Sequence, residues 1–81
     1  MERKKVIEKL GQYLNKWDIE YVNAYLDAKD VYLSHKSTDT LAELKMAYEP
    51  VYFAVKHVWI RGEMTRKEFD DLIDLIQEGL D

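Results

Sequence analysis

Apolar residues recur at intervals of three and four along most of the chain, which places them on one side of an α-helix. In the first third of the chain these positions are Ile7, Leu10, Leu14, Trp17, Tyr21, Ala24, Ala28 and Val31. A single helix over about residues 3 to 35 would be ~50 Å long, more than the rest of the chain could cover. Asn15 and Asp18 are residue types that cap helix N-termini, so the pattern favours a break near residues 15 to 18.

A second helical stripe follows the polar loop KSTDT. Thr40 precedes Glu43 at the spacing of a capping box, which predicts a helix that starts at Thr40. The apolar stripe of this helix consists of Leu41, Leu44, Tyr48, Val51, Val55 and Val58. Pro50 lies inside it and is expected to kink or divide the helix, because proline removes a backbone donor and crowds the preceding turn. Gly62 is expected to end the helix.

The segment RGEMTRKEFDDLI predicts a well-capped start of a last helix. Thr65 and Glu68 have the spacing of a capping box, and Met64 and Phe69 have the spacing of a hydrophobic staple. Gly79 is expected to end this helix. Its buried stripe is predicted to contain Phe69, Leu72, Ile73, Ile76 and Leu80.

The same segment contains a G-x-x-T-x-x-E-F pattern, formed by Gly62, Thr65, Glu68 and Phe69. This pattern is similar to the turn of short bacterial oligomerisation segments of the SHOCT type. The similarity covers about a dozen residues of a kind that any capped helix after a glycine contains, so no function is carried over from it.

Together these stripes predict an all-α fold, a small antiparallel helical bundle of three to four helices in one helical domain over residues 1–81. Four antiparallel helices would place the basic residues Lys4 and Lys5 beside the acidic end of the last helix, which includes Asp74 and Asp81. Three helices would place them beside the basic start of that helix. Charge therefore favours four helices, although surface pairs contribute only about 0–1 kcal/mol each.

Composition limits the cellular setting of the protein. The 81 residues include no cysteine, which excludes disulfides, thiolate zinc sites and cysteine nucleophiles. The N-terminal sequence MERKKVIEKL lacks the apolar core of a signal peptide, and no stretch approaches the ~20 apolar residues that span a bilayer. We therefore expect a cytoplasmic protein without a membrane segment.

The segment WIRGEMTRKEFDDLI has the outline of a helix-turn-helix, so a nucleic-acid-binding domain is one alternative. Arg66 and Lys67 could face DNA at the start of the second helix. The rest of its outer face consists of Asp70, Asp71, Asp74, Gln77 and Glu78. Phosphates would repel these carboxylates, and the net charge of −4 also makes nucleic acid a poor candidate partner.

The polar residues do not form the patterns of known catalytic or metal sites. His35 and His57 follow Tyr32 and Ala54 at the spacing where a carboxylate-bridged metal site requires glutamate. No paired histidines, calcium loop or phosphate-binding glycine loop occurs in the sequence. We expect a protein that is not an enzyme and needs no cofactor or metal.

The sequence contains more apolar residues than a small bundle can bury, which predicts a non-enzymatic protein–protein interaction module. Such a module would be a small regulator or inhibitor that occupies a surface of a larger protein or forms homo-oligomers. The candidate interaction residues are the stripe Tyr21, Tyr25 and Tyr32, together with Phe53 and Trp59. The tyrosine stripe is favoured as the partner-facing one because tyrosine tolerates exposure better than phenylalanine does. Alternatively, the tyrosines cover the edges of the core.

The last helix offers another alternative. Asp71, Asp74 and Glu78 recur about one turn apart, so their carboxylates could imitate the phosphates of nucleic acid. The protein would then be an acidic, nucleic-acid-mimicking inhibitor of a nucleic-acid-binding protein, such as mobile elements encode. A charged face that only confers solubility has the same pattern.

Overall fold

A computed structural model describes residues 3–80 and consists of helices joined by short connections. The helices are α1 (Arg3–Gly11), α2 (Lys16–Ser34), α3 (Thr38–Ile60) and α4 (Arg66–Gln77). α1 packs against α2 and α4, and α3 packs against α2 and α4, so the helices close a ring around one core. The prediction of an all-α bundle is confirmed, with four helices in the described part of the chain.

The predicted break in the first apolar stripe is present, and it lies at residues 12–15, slightly before the predicted range of 15 to 18. α1 ends at Gly11, and the backbone of Asn15 is extended before α2 begins. The side-chain oxygen of Asn15 accepts a hydrogen bond from the backbone amide of Asp18 at 2.9 Å. Asn15 is therefore the N-cap of α2, and it satisfies an amide that the helix cannot pair internally.

α3 starts one turn earlier than predicted. Its N-cap is Ser37, whose hydroxyl accepts a hydrogen bond from the Thr40 amide at 3.1 Å. The Thr40 hydroxyl bonds back to the Ser37 amide at 3.0 Å, in the role that glutamate or glutamine usually takes. The predicted capping box of Thr40 with Glu43 is wrong, because Ser37 can cap and threonine can return the bond.

Pro50 does not divide α3, which is helical from Thr38 to Ile60. The missing proline donor costs one backbone bond, but buried side chains before and after Pro50 hold both halves against the same core. These side chains are Leu44, Val51, Val55 and Val58. The apolar stripe therefore outweighs the local cost of the proline.

Gly62 ends α3 as predicted. Its φ of +79° lies in the left-handed region that glycine adopts without strain. The amide of Gly62 donates to the carbonyl of Trp59 at 2.9 Å, and the amide of Glu63 donates to Val58 at 3.1 Å. These two bonds form a Schellman motif, which turns the chain towards α4.

The predicted cap of α4 is confirmed. Thr65 accepts a bond from the amide of Glu68, and the Glu68 carboxylate accepts one from the amide of Thr65. Met64 and Phe69, which flank this cap, are both buried. Gly79 follows the helix with a φ of +86°. The buried residues of α4 are Phe69, Leu72 and Ile76, and Ile73 and Leu80 are partly buried.

The C-terminal end of α4 is anchored to α2. The backbone carbonyl of Ile76 accepts hydrogen bonds from the Tyr25 hydroxyl at 2.8 Å and from the Lys29 ammonium at 3.0 Å. Carbonyls in the last turn of a helix have no partner within the helix and carry partial negative charge. α4 has no basic residue in its last turn, so α2 supplies both the donors and the positive charge.

The ion pairs of α1 connect it to α2. Arg3 pairs with Asp27 of α2 at 2.7 Å and approaches Asp30 at 3.7 Å. The sequence predicted that the basic start of α1 lies near the acidic end of α4, and Arg3 does line a cavity together with Glu78. α2 provides the acidic partners of Arg3 because its acidic side lies beside the start of α1. Asp81, which was part of that expectation, lies outside the described residues.

Candidate protein-binding surface

One side of α2 remains exposed although it is largely apolar. Its residues recur at intervals of three and four from the start of the helix, and they are Trp17, Tyr21, Ala24, Ala28 and Val31. Trp17 is 68% exposed and Tyr21 is 51% exposed. Ala28 is half-buried, and Ala24 and Val31 are exposed. Small residues therefore lie in the middle of this side of α2, and larger ones lie towards its ends.

α3 presents a second apolar stripe to solvent. Met46, Phe53 and Ile60 lie seven residues apart and are 74%, 50% and 64% exposed. His57, which is also exposed, lies between Phe53 and Ile60 on the same side. The opposite side of α3 carries the buried valines, so burial divides this helix lengthwise.

The two stripes lie side by side on the α2–α3 side of the bundle. Asp18 of α2 lines a shallow cavity together with Phe53 and His57 of α3. α1 and α4 contact each other and pack against the other sides of α2 and α3. We call this surface the outer face, and it consists of Trp17, Tyr21, Ala24, Ala28, Val31, Met46, Phe53, His57 and Ile60.

The predicted tyrosine stripe is split between surface and core. Tyr21 is exposed, Tyr32 is half-buried, and Tyr25 is 0% exposed. The prediction that Tyr25 faces a partner is wrong, because its side chain is buried and its hydroxyl donates a hydrogen bond to the Ile76 carbonyl inside the bundle. Burial raises the pKa of Tyr25, so the hydroxyl keeps its proton as a donor.

An aromatic ladder inside the bundle accounts for much of the aromatic content. The rings of Tyr25 and Tyr48 lie 5.8 Å apart, and Tyr48 and Tyr52 lie 5.8 Å apart. Tyr52 meets Phe69 of α4 edge-on at 6.0 Å. These rings connect α2, α3 and α4 at the spacings that aromatic pairs prefer. The alternative prediction, that the tyrosines cover the edges of the core, therefore fits the half-buried Tyr48 and Tyr52, whereas Tyr25 lies inside the core.

Trp59 belongs to the contact between α3 and α4. Its ring stacks on Phe69 with centroids 4.9 Å apart, and the guanidinium of Arg66 lies 5.0 Å from its centre. Trp59 is half-buried as a result. Of the aromatic residues predicted for interaction, Tyr21 and Phe53 are on the outer face, whereas Trp59 lies between helices.

The acidic residues of α4 form a surface of mixed charge. Asp71, Asp74 and Glu78 are all exposed, as their predicted role requires. Lys67 pairs with Asp71 at 3.0 Å, and Arg66 pairs with Asp70 at 3.1 Å. The first two turns of α4 therefore alternate in charge instead of presenting a row of carboxylates.

These pairs also bear on the helix-turn-helix alternative. Arg66 and Lys67 are the basic residues that would face DNA, and each contacts a carboxylate one turn further along α4. Arg66 is in addition held over the Trp59 ring. A DNA-reading helix needs free basic or amide side chains on its outer face, so this arrangement gives that alternative no support.

Some residues that shape the structure were not identified from the sequence. Lys29 is buried, and burial lowers the pKa of its ammonium group. Its position, four residues after Tyr25 and seven after Val22, lies on the buried side of α2 and could have indicated this. Trp17 was assigned to the apolar stripe, and in α2 that stripe is the exposed side of the helix.

Within residues 3–80, histidine and carboxylate side chains form no cluster of three or more that could hold a metal ion. The helices of that range include none with the length and hydropathy of a membrane span. Comparison with known protein families, curated proteins and solved structures found no match.

Proposed function

We propose that this chain is a non-enzymatic protein-binding module, which acts by occupying the surface of another protein chain through the outer face. The observation that carries the proposal is the exposure of Trp17, Met46, Phe53 and Ile60 on one side of the bundle. Monomeric soluble proteins rarely expose contiguous apolar patches larger than a few hundred Å². Several large apolar side chains exposed on one side of a bundle are typical of an interaction site.

The composition of the outer face supports binding to protein. Tryptophan, tyrosine, phenylalanine and methionine are enriched at the centres of protein interfaces, and lysine and glutamate are depleted there. The outer face contains Trp17, Tyr21, Met46 and Phe53, and none of the residues in its two stripes is an acid, a lysine or an arginine, while Asp18 lies between the stripes. Charged residues occur at its edges, in the core-and-rim arrangement of protein interfaces.

The alternatives have weaker support. A nucleic-acid reader would require basic residues that are free to contact phosphates, and Arg66 and Lys67 are engaged in ion pairs. A nucleic-acid mimic would require an uninterrupted acidic surface, and Lys67 interrupts it beside Asp71. The proposal of surface occupation therefore rests on α2 and α3, and not on α4.

The experiment compares two double variants on opposite parts of the bundle. Met46→Ser with Phe53→Ser removes two large apolar groups from the outer face, and Asp71→Lys with Asp74→Lys reverses the charge of α4. The stability of both is first checked by circular dichroism. We then expect the α2–α3 side, and not α4, to determine both self-association and the proteins retained in a quantitative pull-down.

Two results would contradict the proposal. The Met46→Ser, Phe53→Ser variant could retain the self-association and the protein partners of the wild type, in which case the outer face would not be the binding surface. Alternatively, the Asp71→Lys, Asp74→Lys variant could be the one that loses binding. That result would instead support the acidic surface of α4.

A further inference from the structure

We draw no further inference here: the strongest candidate, the apolar groove that Leu41, Leu44 and Tyr48 of α3 form with Gln77 and Leu80 at the end of α4, carries no proposal because nothing in the structure shows what covers it.

Discussion

Tyr25 of α2 and Phe53 of α3 lie on aromatic-rich helices that pack against each other, yet they occupy opposite environments. Tyr25 is 0% exposed, whereas Phe53 is 50% exposed. Tyr25 is on the buried side of α2, where its hydroxyl donates to the Ile76 carbonyl, which has no partner within α4. Phenylalanine has no donor to offer there. The comparison shows that a tyrosine can be buried completely where a backbone carbonyl accepts the hydrogen bond of its hydroxyl.

The largest test of this comparison is the loss of a tyrosine side chain from each environment. Tyr25→Ser should lower the free energy of unfolding by about 4 kcal/mol, because it empties a fully buried site. Tyr21→Ser, at an exposed position of the same helix, should change it by less than about 0.5 kcal/mol. Urea unfolding followed by circular dichroism measures both, at concentrations too low for self-association. Equal losses would mean that Tyr25 is not in the core.

What the sequence could predict follows the strength of local signals. The cap at Thr65 and the stops at Gly62 and Gly79 were predicted, and Asn15 was one of two candidate caps, because each depends on a few neighbouring residues. The start of α3 was missed by one turn because Ser37 and Thr40 compete for the same role. Short-range chemistry therefore fixed most helix ends.

The candidate surface was harder to predict. PVYFAVKHVWI is apolar nearly all round, so its periodicity does not say which stripe is buried. The positions of α1 and α4 decide this, and they depend on contacts between distant residues. Tyr25 and Lys29 illustrate the same point, since their partner Ile76 lies about 50 residues away in sequence. The Met46, Phe53 and Ile60 stripe could be recognised from the sequence, but its exposure could not.

A finer comparison removes only the hydroxyl. Tyr25→Phe keeps the ring in place and deletes one hydrogen bond, so unfolding should become easier by about 1 kcal/mol. The Ile76 carbonyl keeps the Lys29 ammonium as a donor, which limits the loss. Tyr21→Phe should have no measurable effect on stability. Chemical denaturation of the two variants and the wild type measures the difference, and a neutral Tyr25→Phe would show that packing alone holds the tyrosine inside.

Lys29 tests the same anchor through its charge. Burial lowers the pKa of Lys29, so the unfolded chain binds its proton more tightly than the folded chain does. This contribution disfavours folding at neutral pH, and it diminishes as pH rises towards the ordinary value of 10.5. Lys29→Met should therefore change stability by less than about 1 kcal/mol at pH 7, while Tyr25 keeps the Ile76 carbonyl bonded.

The measurement for Lys29→Met is the unfolding free energy of variant and wild type at several pH values from 7 to 10, the range that lies below the ordinary pKa. The free energy of unfolding of the variant, relative to that of the wild type, should fall as pH rises. Only the wild type has a buried charge whose cost diminishes with deprotonation. A constant difference across this range would contradict the assignment of Lys29 as a buried, charged anchor.

The smallest effect concerns Tyr13, which is half-buried and so lies between Tyr25 and Tyr21 in exposure. Its hydroxyl donates to the Glu68 carboxylate at 2.6 Å. This bond, followed by the bonds from Thr65, lowers the pKa of Glu68. A lowered carboxyl pKa stabilises the fold above the ordinary value of 4.5, and the contribution is lost as pH falls through the lowered pKa.

Glu68→Gln should therefore unfold with a shallower dependence on pH in the acid range. Tyr13→Phe should also make the pH dependence of unfolding shallower in the acid range, but by less, since Thr65 remains bonded to Glu68. Acid titration of the three proteins by circular dichroism measures this, and an unchanged profile in Glu68→Gln would show that the contact contributes nothing in solution.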